Sequence, residues 1–337
     1  MTESVNKIAN KGKINWLLIL QAWAMLWVVI GHATLNKEVK PVWDTNLVKI
    51  AYMFHMQLFI VVSGYLFRLT RLNNQEKWSY GKILQDKFVR LGVPGLFFSI
   101  VALALKGLFP GEMNRQVSQT LGGVLYTYLY PCENAFQEIW FVVVLMWMFL
   151  LTPVWRIALK NVYTKAITLA VVLVLSFVNP KTEFLCIDRA CGYAICFYSG
   201  MLLSYVKINN PVKALHIIAV MLVGGALMFC GFIGIEIPMI EMISCIMISI
   251  GIAFFLDRYL PYSFKGFRNY TYQIYLMGIF AQIFVKILYR HCSMPYLIGW
   301  ILCVVAGLYI PVLISKVCEW INWKPLLICV GLKQAKK

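Results

Sequence analysis

The sequence predicts an all-α, polytopic membrane protein with about ten transmembrane helices and both termini in the cytoplasm. The first observation behind this fold class is composition. Of the 337 residues, 61% are hydrophobic and 13% are charged, and the mean hydropathy is +0.74. Soluble domains average about 45–50% apolar and about 25% charged residues. The composition therefore excludes a soluble globular enzyme, a disordered chain and a disulfide scaffold.

The second observation is a series of ten apolar stretches. About 20 helical residues cross the hydrocarbon core of a bilayer. The first stretch is longer than the apolar part of a signal peptide, so we interpret it as a span. We expect the whole chain, 1–337, to form one integral-membrane domain. The predicted spans are 14–34, 47–67, 88–109, 138–155, 163–178, 189–206, 214–234, 238–257, 270–289 and 296–318.

The third observation is the distribution of charge. Lys and Arg number 31 against 14 acidic residues, which gives a net charge of +17. In a soluble protein this would indicate nucleic-acid binding, but no basic run is long or interleaved with polar residues, and we expect no nucleic-acid partner. With the N-terminus inside, 22 of the 31 basic residues fall on the cytoplasmic side. The positive-inside rule therefore predicts two cytoplasmic termini in a multi-pass protein of the cell (plasma or inner) membrane, surrounded by lipid.

The connections and cysteines add little chemistry. The longest external connection, 110–137, includes the apolar, Tyr-rich segment Leu121–Tyr130, which suits an interfacial or re-entrant segment. The ten cysteines form no C-x-x-C pair, and we interpret them as small packing residues inside spans. The sequence has no metal-ligand spacing, no Gly-rich phosphate loop and no G-x-S-x-G motif. We therefore expect no metal and no bound cofactor.

Two histidines in spans are the first candidates for function, because ionisable groups in a bilayer are costly. His32 lies near the outer end of the first span, and His55 lies about eight residues into the second span from outside. With a rise of about 1.5 Å per residue, both imidazoles are expected at similar depth. They could form a proton-transfer centre. The alternative is that each only packs and hydrogen-bonds a neighbouring helix.

Polar stripes follow two spans. Gln21 and His32 are eleven residues apart and share one helix face. The ninth span has a similar face made of Thr271, Tyr275, Gln282 and Lys286. Both stripes suit the lining of a substrate tunnel. The alternatives are unrelated interhelical hydrogen bonds and, for Tyr275, an interfacial anchor.

Charged residues at span ends complete the candidates. Arg90, four residues before Pro94, either snorkels to lipid phosphate or binds an anionic donor. The basic cytoplasmic stretch that begins at Arg68 suits anionic headgroups or the phosphates of a cytosolic donor. Glu138, just before Trp140, is either an external substrate contact or a solvated helix end.

Six segments of the chain have motifs that follow one another in a fixed order. They are Leu26–His32, Phe54–Phe67, Arg90–Pro94, Ile139–Val142, Phe197–Met201 and Tyr272–Met277. Together they resemble the acyltransferase-3 family of integral membrane proteins, over nearly the whole chain. The motifs of this family include a first span that ends in Val-Val-x-Gly-His and a later Ser-Gly-Tyr-Leu-Phe. Gln57 stands where the family usually has Pro, Gln21 where it often has Arg or Lys, and Gly278 where it often has His.

The resemblance implies an O-acyltransferase that moves an acyl group, usually acetyl, from cytoplasmic acyl-CoA to a hydroxyl of a surface or lipid-linked glycan. His32 is the implied catalytic residue, as general base or as acyl carrier. We expect His55, Ser63 and Tyr275 to supply hydrogen bonds, Gln21, Glu138 and Trp140 to contribute to the acceptor site or tunnel, and Arg68 and Arg90 to bind the donor. A transporter or flippase for a lipid-linked sugar, and a sensor or scaffold without chemistry, are the alternatives.

Overall fold

The computed structural model describes residues 14–36, 40–73, 79–109, 117–206, 208, 213–232 and 237–333. These residues are mainly α-helical, and no β-strand occurs among them. The predicted all-α class is therefore confirmed for the described part of the chain. The two chain ends, and 110–116 of the predicted external connection 110–137, lie outside these ranges.

The helices follow the predicted apolar stretches. In the first half of the chain, α2 continues into a π-helical turn, Arg68–Leu72, and a second π-helical turn, Phe88–Gly92, joins α3 to α4. The helices are α1 (Asn15–Gly31), α2 (Val42–Phe67), α3 (Tyr80–Lys87), α4 (Val93–Leu108), α5 (Leu121–Leu129), α6 (Ile139–Leu150), α7 (Thr152–Ala158), α8 (Val162–Val178), α9 (Ile187–Leu203), α10 (Ala214–Phe232), α11 (Pro238–Tyr259), α12 (Thr271–His291), α13 (Tyr296–Ile321) and α14 (Lys324–Cys329).

Local sequence explains several helix starts. The Ser79 hydroxyl accepts a hydrogen bond from the Lys82 backbone N–H, and Asn161 and Thr164 form a reciprocal capping box at α8. Such caps satisfy N–H groups that the first turn leaves without helical partners. Proline in the first turn of α7, α11 and α14 costs no helical hydrogen bond at that position.

Among the described residues, five helical stretches are long and apolar enough to cross a bilayer. The helices α6 and α7, bent by 55°, make a sixth if they form one span. Shorter apolar helices cover Asn15–Gly31, Val162–Val178 and Ala214–Phe229, and α9 has Asp188 and Arg189 in its first turn. A helix therefore lies at each predicted stretch, while the number of ten spans and the cytoplasmic termini stay predictions. The five stretches are Val42–Leu72, Tyr80–Leu108, Pro238–Tyr259, Thr271–His291 and Tyr296–Ile321.

The chain divides into two compact units. The first comprises Met1–Phe59 and Val206–Val312. In it α1 packs on α11 and α12, and α10 packs along α11. The Trp16 and Phe254 rings meet edge to face 5.0 Å apart, and Asn15 donates a 2.7 Å hydrogen bond to the Asp257 carboxylate. The N-terminal end of α1 is therefore fixed to α11 by apolar and polar contacts.

The second unit comprises Ile60–Tyr205 and Leu313–Lys337. Its centre is a close approach of two helices that both contain a Ser-Gly pair of the motifs. A Cβ on Gly64 would lie 2.0 Å from the Phe197 carbonyl oxygen, and a Cβ on Gly200 would lie 1.9 Å from the Val61 carbonyl oxygen. Only glycine permits this backbone contact, so these two motif glycines bring α2 and α9 together.

Candidate functional site

The first unit holds His32 at the end of a tightly packed helix. The last residue of α1 is Gly31, and a Cβ there would lie 3.3 Å from the Ala51 Cβ and 3.4 Å from the Tyr52 ring. The small residue lets the end of α1 approach α2 closely. His32 follows as the C-terminal cap of α1, half-buried, with its backbone N–H donating to the Val28 carbonyl at 3.2 Å.

A tyrosine ring lies between the two predicted histidines. The centroid of the Tyr52 ring is 6.0 Å from that of His32 and 5.2 Å from that of His55. His55 is only 2% exposed, and its Nδ1 hydrogen-bonds the Ala51 carbonyl oxygen. Because a carbonyl only accepts, Nδ1 has the proton, and Nε2 of the neutral ring is an acceptor. The structure therefore brings His32 and His55 into one aromatic cluster.

Two polar side chains of α12 hold the end of α1. Gln282 Nε2 donates to the Val29 carbonyl oxygen at 2.8 Å, and Lys286 Nζ donates to the His32 carbonyl oxygen at 2.7 Å. Carbonyls at a helix C-terminus lack helical partners, and a cation there also interacts favourably with the helix dipole. Two of the four residues of the predicted polar face of α12, Gln282 and Lys286, therefore contact the end of α1.

The other predicted residues of the first unit lie on the same helices. Tyr275 is buried on α12, with its ring stacked on that of Tyr272 at 6.1 Å. Gln21 is half-buried on α1. Their roles as tunnel or acceptor residues stay predictions.

A buried carboxylate after the His32 segment was missed from sequence. Asp44 is 0% exposed and accepts hydrogen bonds from the Tyr296 hydroxyl at 2.6 Å and from the Trp300 ring N–H at 3.2 Å. The Tyr296 oxygen in turn accepts from the backbone N–H of Leu35 at 3.4 Å. This network anchors the chain three residues after His32. The signal for it was a lone acid in the first turn of a long apolar helix.

The second unit gathers basic side chains around one carboxylate. Asp86 on α3 forms ion pairs with Arg71 and with Arg90, the latter at 2.9 Å. The Arg90 side chain is 47% exposed, whereas Arg71 is buried. Lys87 Nζ lies 4.3 Å from the centroid of the Phe149 ring. Arg71 and Arg90 belong to the two π-helical turns, a feature often found at functional sites.

Arg68, the other arginine predicted to bind the acyl donor, contacts two residues at the end of α9. Its guanidinium donates to the Ser204 hydroxyl at 2.8 Å and lies 3.2 Å from the centroid of the Tyr205 ring. Both contacts tie the end of α2 to the end of α9. Arg90 is thus the more accessible of the two predicted donor-binding arginines.

The remaining candidates also lie in the second unit. Ser63 is half-buried beside Gly64, and Glu138 is the residue just before α6. The Trp140 ring stacks on Tyr193 at 5.8 Å, and the Arg189 guanidinium carbon lies 4.5 Å from the Trp140 centroid. The helix starts of α6 and α9 are therefore joined by an aromatic and cationic cluster that includes one predicted acceptor residue.

A family model described as an acyltransferase domain matches residues 14–316. This match spans most of the chain and both units. Searches of curated proteins and of solved structures found no match.

Proposed function

The chain belongs to the acyltransferase-3 family, and on that premise we propose that it is a multi-pass membrane O-acyltransferase. It moves an acyl group, in our proposal acetyl, from cytoplasmic acyl-CoA to a hydroxyl of a cell-surface or lipid-linked glycan. Acyl-CoA is a co-substrate, and the proposal needs no bound cofactor or metal.

The arrangement of His32, Tyr52 and His55 supports this proposal most directly. A sugar hydroxyl is a poor nucleophile at neutral pH, and a neutral imidazole can take its proton as the oxygen attacks the thioester carbonyl. The carbon–sulfur bond then breaks, and the departing CoA thiolate takes the proton from the imidazolium. If His32 instead carries the acyl group, its imidazole nitrogen attacks the thioester carbonyl and expels the CoA thiolate. The sugar hydroxyl then attacks the carbonyl of the acyl-imidazole, which releases the imidazole, and its proton passes to the CoA thiolate.

Partners of His32 have complementary roles in the proposal. The hydrogen bond from Lys286 fixes the backbone of His32, so the imidazole enters the reaction from a restricted position. His55 donates through Nδ1 to Ala51, which leaves Nε2 to relay a proton or to accept a hydrogen bond from the acceptor. Tyr275 remains the candidate for a donor to the developing oxyanion.

We assign the phosphates of the donor to the basic residues around Asp86. The Nε of Arg90 forms an ion pair with Asp86. The guanidinium of Arg90 is partly exposed, and its other N–H groups suit phosphate oxygens. Arg71 and Lys87 add positive charge close by. A CoA nucleotide, with its several phosphate groups, matches such a cluster better than a neutral sugar does.

The proposal is tested by assaying the purified chain in detergent with radiolabelled acetyl-CoA and de-O-acylated envelope polysaccharide from the native host. His32→Ala should reduce label transfer by about 10²–10⁴-fold, the usual contribution of a general acid or base, with little change in melting temperature. His291→Ala is the matched control, because His291 is exposed at the end of α12. Transfer by His32→Ala at the wild-type rate would remove His32 from the mechanism.

A further inference from the structure

Two cysteines outside the predicted spans lie in contact. The Sγ atoms of Cys132 and Cys186 are 3.9 Å apart, although 54 positions separate them in sequence. Cys132 is 8% exposed and Cys186 is 0% exposed. They belong to two single 3₁₀ turns, Pro131–Glu133 and Phe184–Cys186, which precede α6 and α9. The interpretation of the cysteines as packing residues inside spans does not account for this pair.

Neighbouring contacts hold the two turns together. The Tyr130 and Phe184 rings meet edge to face at 6.0 Å, and the Trp147 ring N–H donates to the Leu185 carbonyl at 3.0 Å. Leu185 and Cys186 both have positive φ, 49° and 55°, a backbone conformation that side chains other than glycine adopt only when their surroundings hold them. The juxtaposition of the thiols is therefore built into the fold of this unit.

The surroundings favour oxidation rather than metal binding. Within the described ranges, no group of three His, Cys, Asp or Glu side chains has a metal-site arrangement. The charge distribution along the sequence predicts that both turns face the external side. Disulfide bonds form and persist in such oxidising surroundings. A hydrogen bond from the Cys186 thiol, together with the nearby Arg189 guanidinium, lowers the pKa of the Cys132 thiol, which favours the thiolate needed for exchange.

We propose that Cys132 and Cys186 form a disulfide bond in the mature protein. The oxidant is a disulfide-bonded thiol oxidoreductase on the external side. The Cys132 thiolate attacks one sulfur of the oxidant and releases its partner thiolate, which gives a mixed disulfide. Cys186 then loses its proton, attacks the Cys132 sulfur and expels the second thiolate. Two thiols lose two electrons and two protons in total, and the oxidant's disulfide becomes a dithiol.

The disulfide bond would hold together the two segments that precede the Trp140 cluster. Cys132 lies in the segment before Trp140, and Cys186 lies just before the start of α9. The cluster consists of the side chains of Trp140, Arg189 and Tyr193. A covalent link between the two turns restricts the separation of α6 and α9 at this end. This inference goes beyond acyl transfer and does not depend on it, but it does depend on the predicted external placement of both turns.

The test needs no mutation in its first arm. Cells that express the full chain are quenched with acid, and the membranes are denatured in detergent with excess N-ethylmaleimide to block every thiol. The protein is then reduced and treated with a maleimide-linked polyethylene glycol, which slows its migration once per new thiol. We expect two additions for the wild-type chain, and peptide mapping without reductant should join the peptides of Cys132 and Cys186.

Variants assign the pair. Cys132→Ser and Cys186→Ser should each give no addition, because the remaining thiol is blocked in the first step. Cys191→Ser is the matched control, because Cys191 lies five residues after Cys186 and inside α9, and this variant should keep both additions. No addition in the wild-type chain, or a disulfide that joins other cysteines, would overturn the proposal. Loss of acyl transfer in any of these variants leaves this readout unaffected.

Discussion

The carbonyl oxygen of His32 accepts a hydrogen bond from Lys286 at 2.7 Å, so a charged side chain of α12 fixes the residue to which we assign the chemistry. In our proposal, Lys286 acts on His32 through the backbone, as a positioning residue. Lys286→Met removes this hydrogen bond but keeps most of the aliphatic stem. We expect a turnover number roughly 10- to 100-fold lower, because a small displacement of a catalytic group is costly, and an unchanged KM for acetyl-CoA.

Two further variants separate positioning from stability. Lys286→Arg keeps an N–H donor and should recover much of the turnover number. Lys265→Met removes an exposed lysine of the same unit and should have no effect. A Lys286→Met protein with full activity, or one that loses activity only in proportion to its folded fraction, would contradict the positioning role.

Arg90 is expected to act on the donor. Hydrogen bonds to charged groups contribute about 1.5–3 kcal/mol, and 1.4 kcal/mol corresponds to about a tenfold change in affinity. Arg90→Ala should therefore raise the KM for acetyl-CoA about tenfold or more while the KM for the polysaccharide stays unchanged. The control is Lys160→Ala, which removes an exposed basic residue of the same unit. An unchanged KM for the donor with a raised KM for the acceptor would place Arg90 in the other site.

At the scale of single residues, the sequence indicates candidates where the free-energy cost of an ionisable side chain in a bilayer makes that side chain conspicuous. His32 and His55 were named as candidates because ionisable groups are costly in spans, and Gln282 and Lys286 were named because they share one helix face. The functional roles of these residues stay predictions. Tyr52 was missed, although its spacing of three from His55 places both rings on one side of α2. The hydrogen bond of Lys286 to a backbone carbonyl and the burial of Asp44 depend on tertiary packing, which no local pattern encodes.

At the scale of elements, α2 and α9 approach until backbone meets backbone. Gly64→Ala places a Cβ 2.0 Å from the Phe197 carbonyl oxygen, and Gly200→Ala places one 1.9 Å from the Val61 carbonyl oxygen. A backbone carbonyl cannot rotate away like a side chain, so the helices must separate. Overpacking costs typically 1–3 kcal/mol, and we expect about 3 kcal/mol of lost stability for each variant, measured as a lower melting temperature in detergent.

The matched control is Gly225→Ala in the interior of α10, where a Cβ would meet nothing within 4 Å. Alanine is the better helix former, so this variant should melt no lower than the wild-type chain. If Gly64→Ala and Gly200→Ala also melted like the wild-type chain, the close approach of α2 and α9 would be wrong.

Helix positions were largely predictable, because apolar stretches of suitable length have few alternatives in a bilayer. The π-helical turns at Arg68–Leu72 and Phe88–Gly92 were not, since one extra residue in a turn leaves no periodic signal in sequence. The close contact at Gly64 and Gly200 was also missed. Both glycines belong to motifs, but a lone glycine in a span does not say which helix approaches it.

For the whole molecule, our central proposal is that a membrane protein transfers an acyl group from a donor on the cytoplasmic side to an acceptor on the external side. The family match covers residues 14–316, and 22 of the 31 basic residues fall on the side predicted to be cytoplasmic. The family match supports an acyltransferase, and on this basis we propose that the protein takes its donor from the cytoplasm and delivers the acyl group to an external glycan. The prediction of ten spans follows from the same charge count and from the ten apolar stretches.

The most direct test uses proteoliposomes in which the predicted cytoplasmic face points outward. De-O-acylated envelope polysaccharide of the native host is trapped inside, and radiolabelled acetyl-CoA is added outside. We predict that the trapped polysaccharide becomes labelled through base-labile ester bonds with the wild-type chain and with His291→Ala, but not with His32→Ala. Polysaccharide that stays inside the vesicles unlabelled with the wild-type chain would contradict acyl transfer. Polysaccharide that leaves the vesicles without label would contradict acyl transfer and favour a transporter.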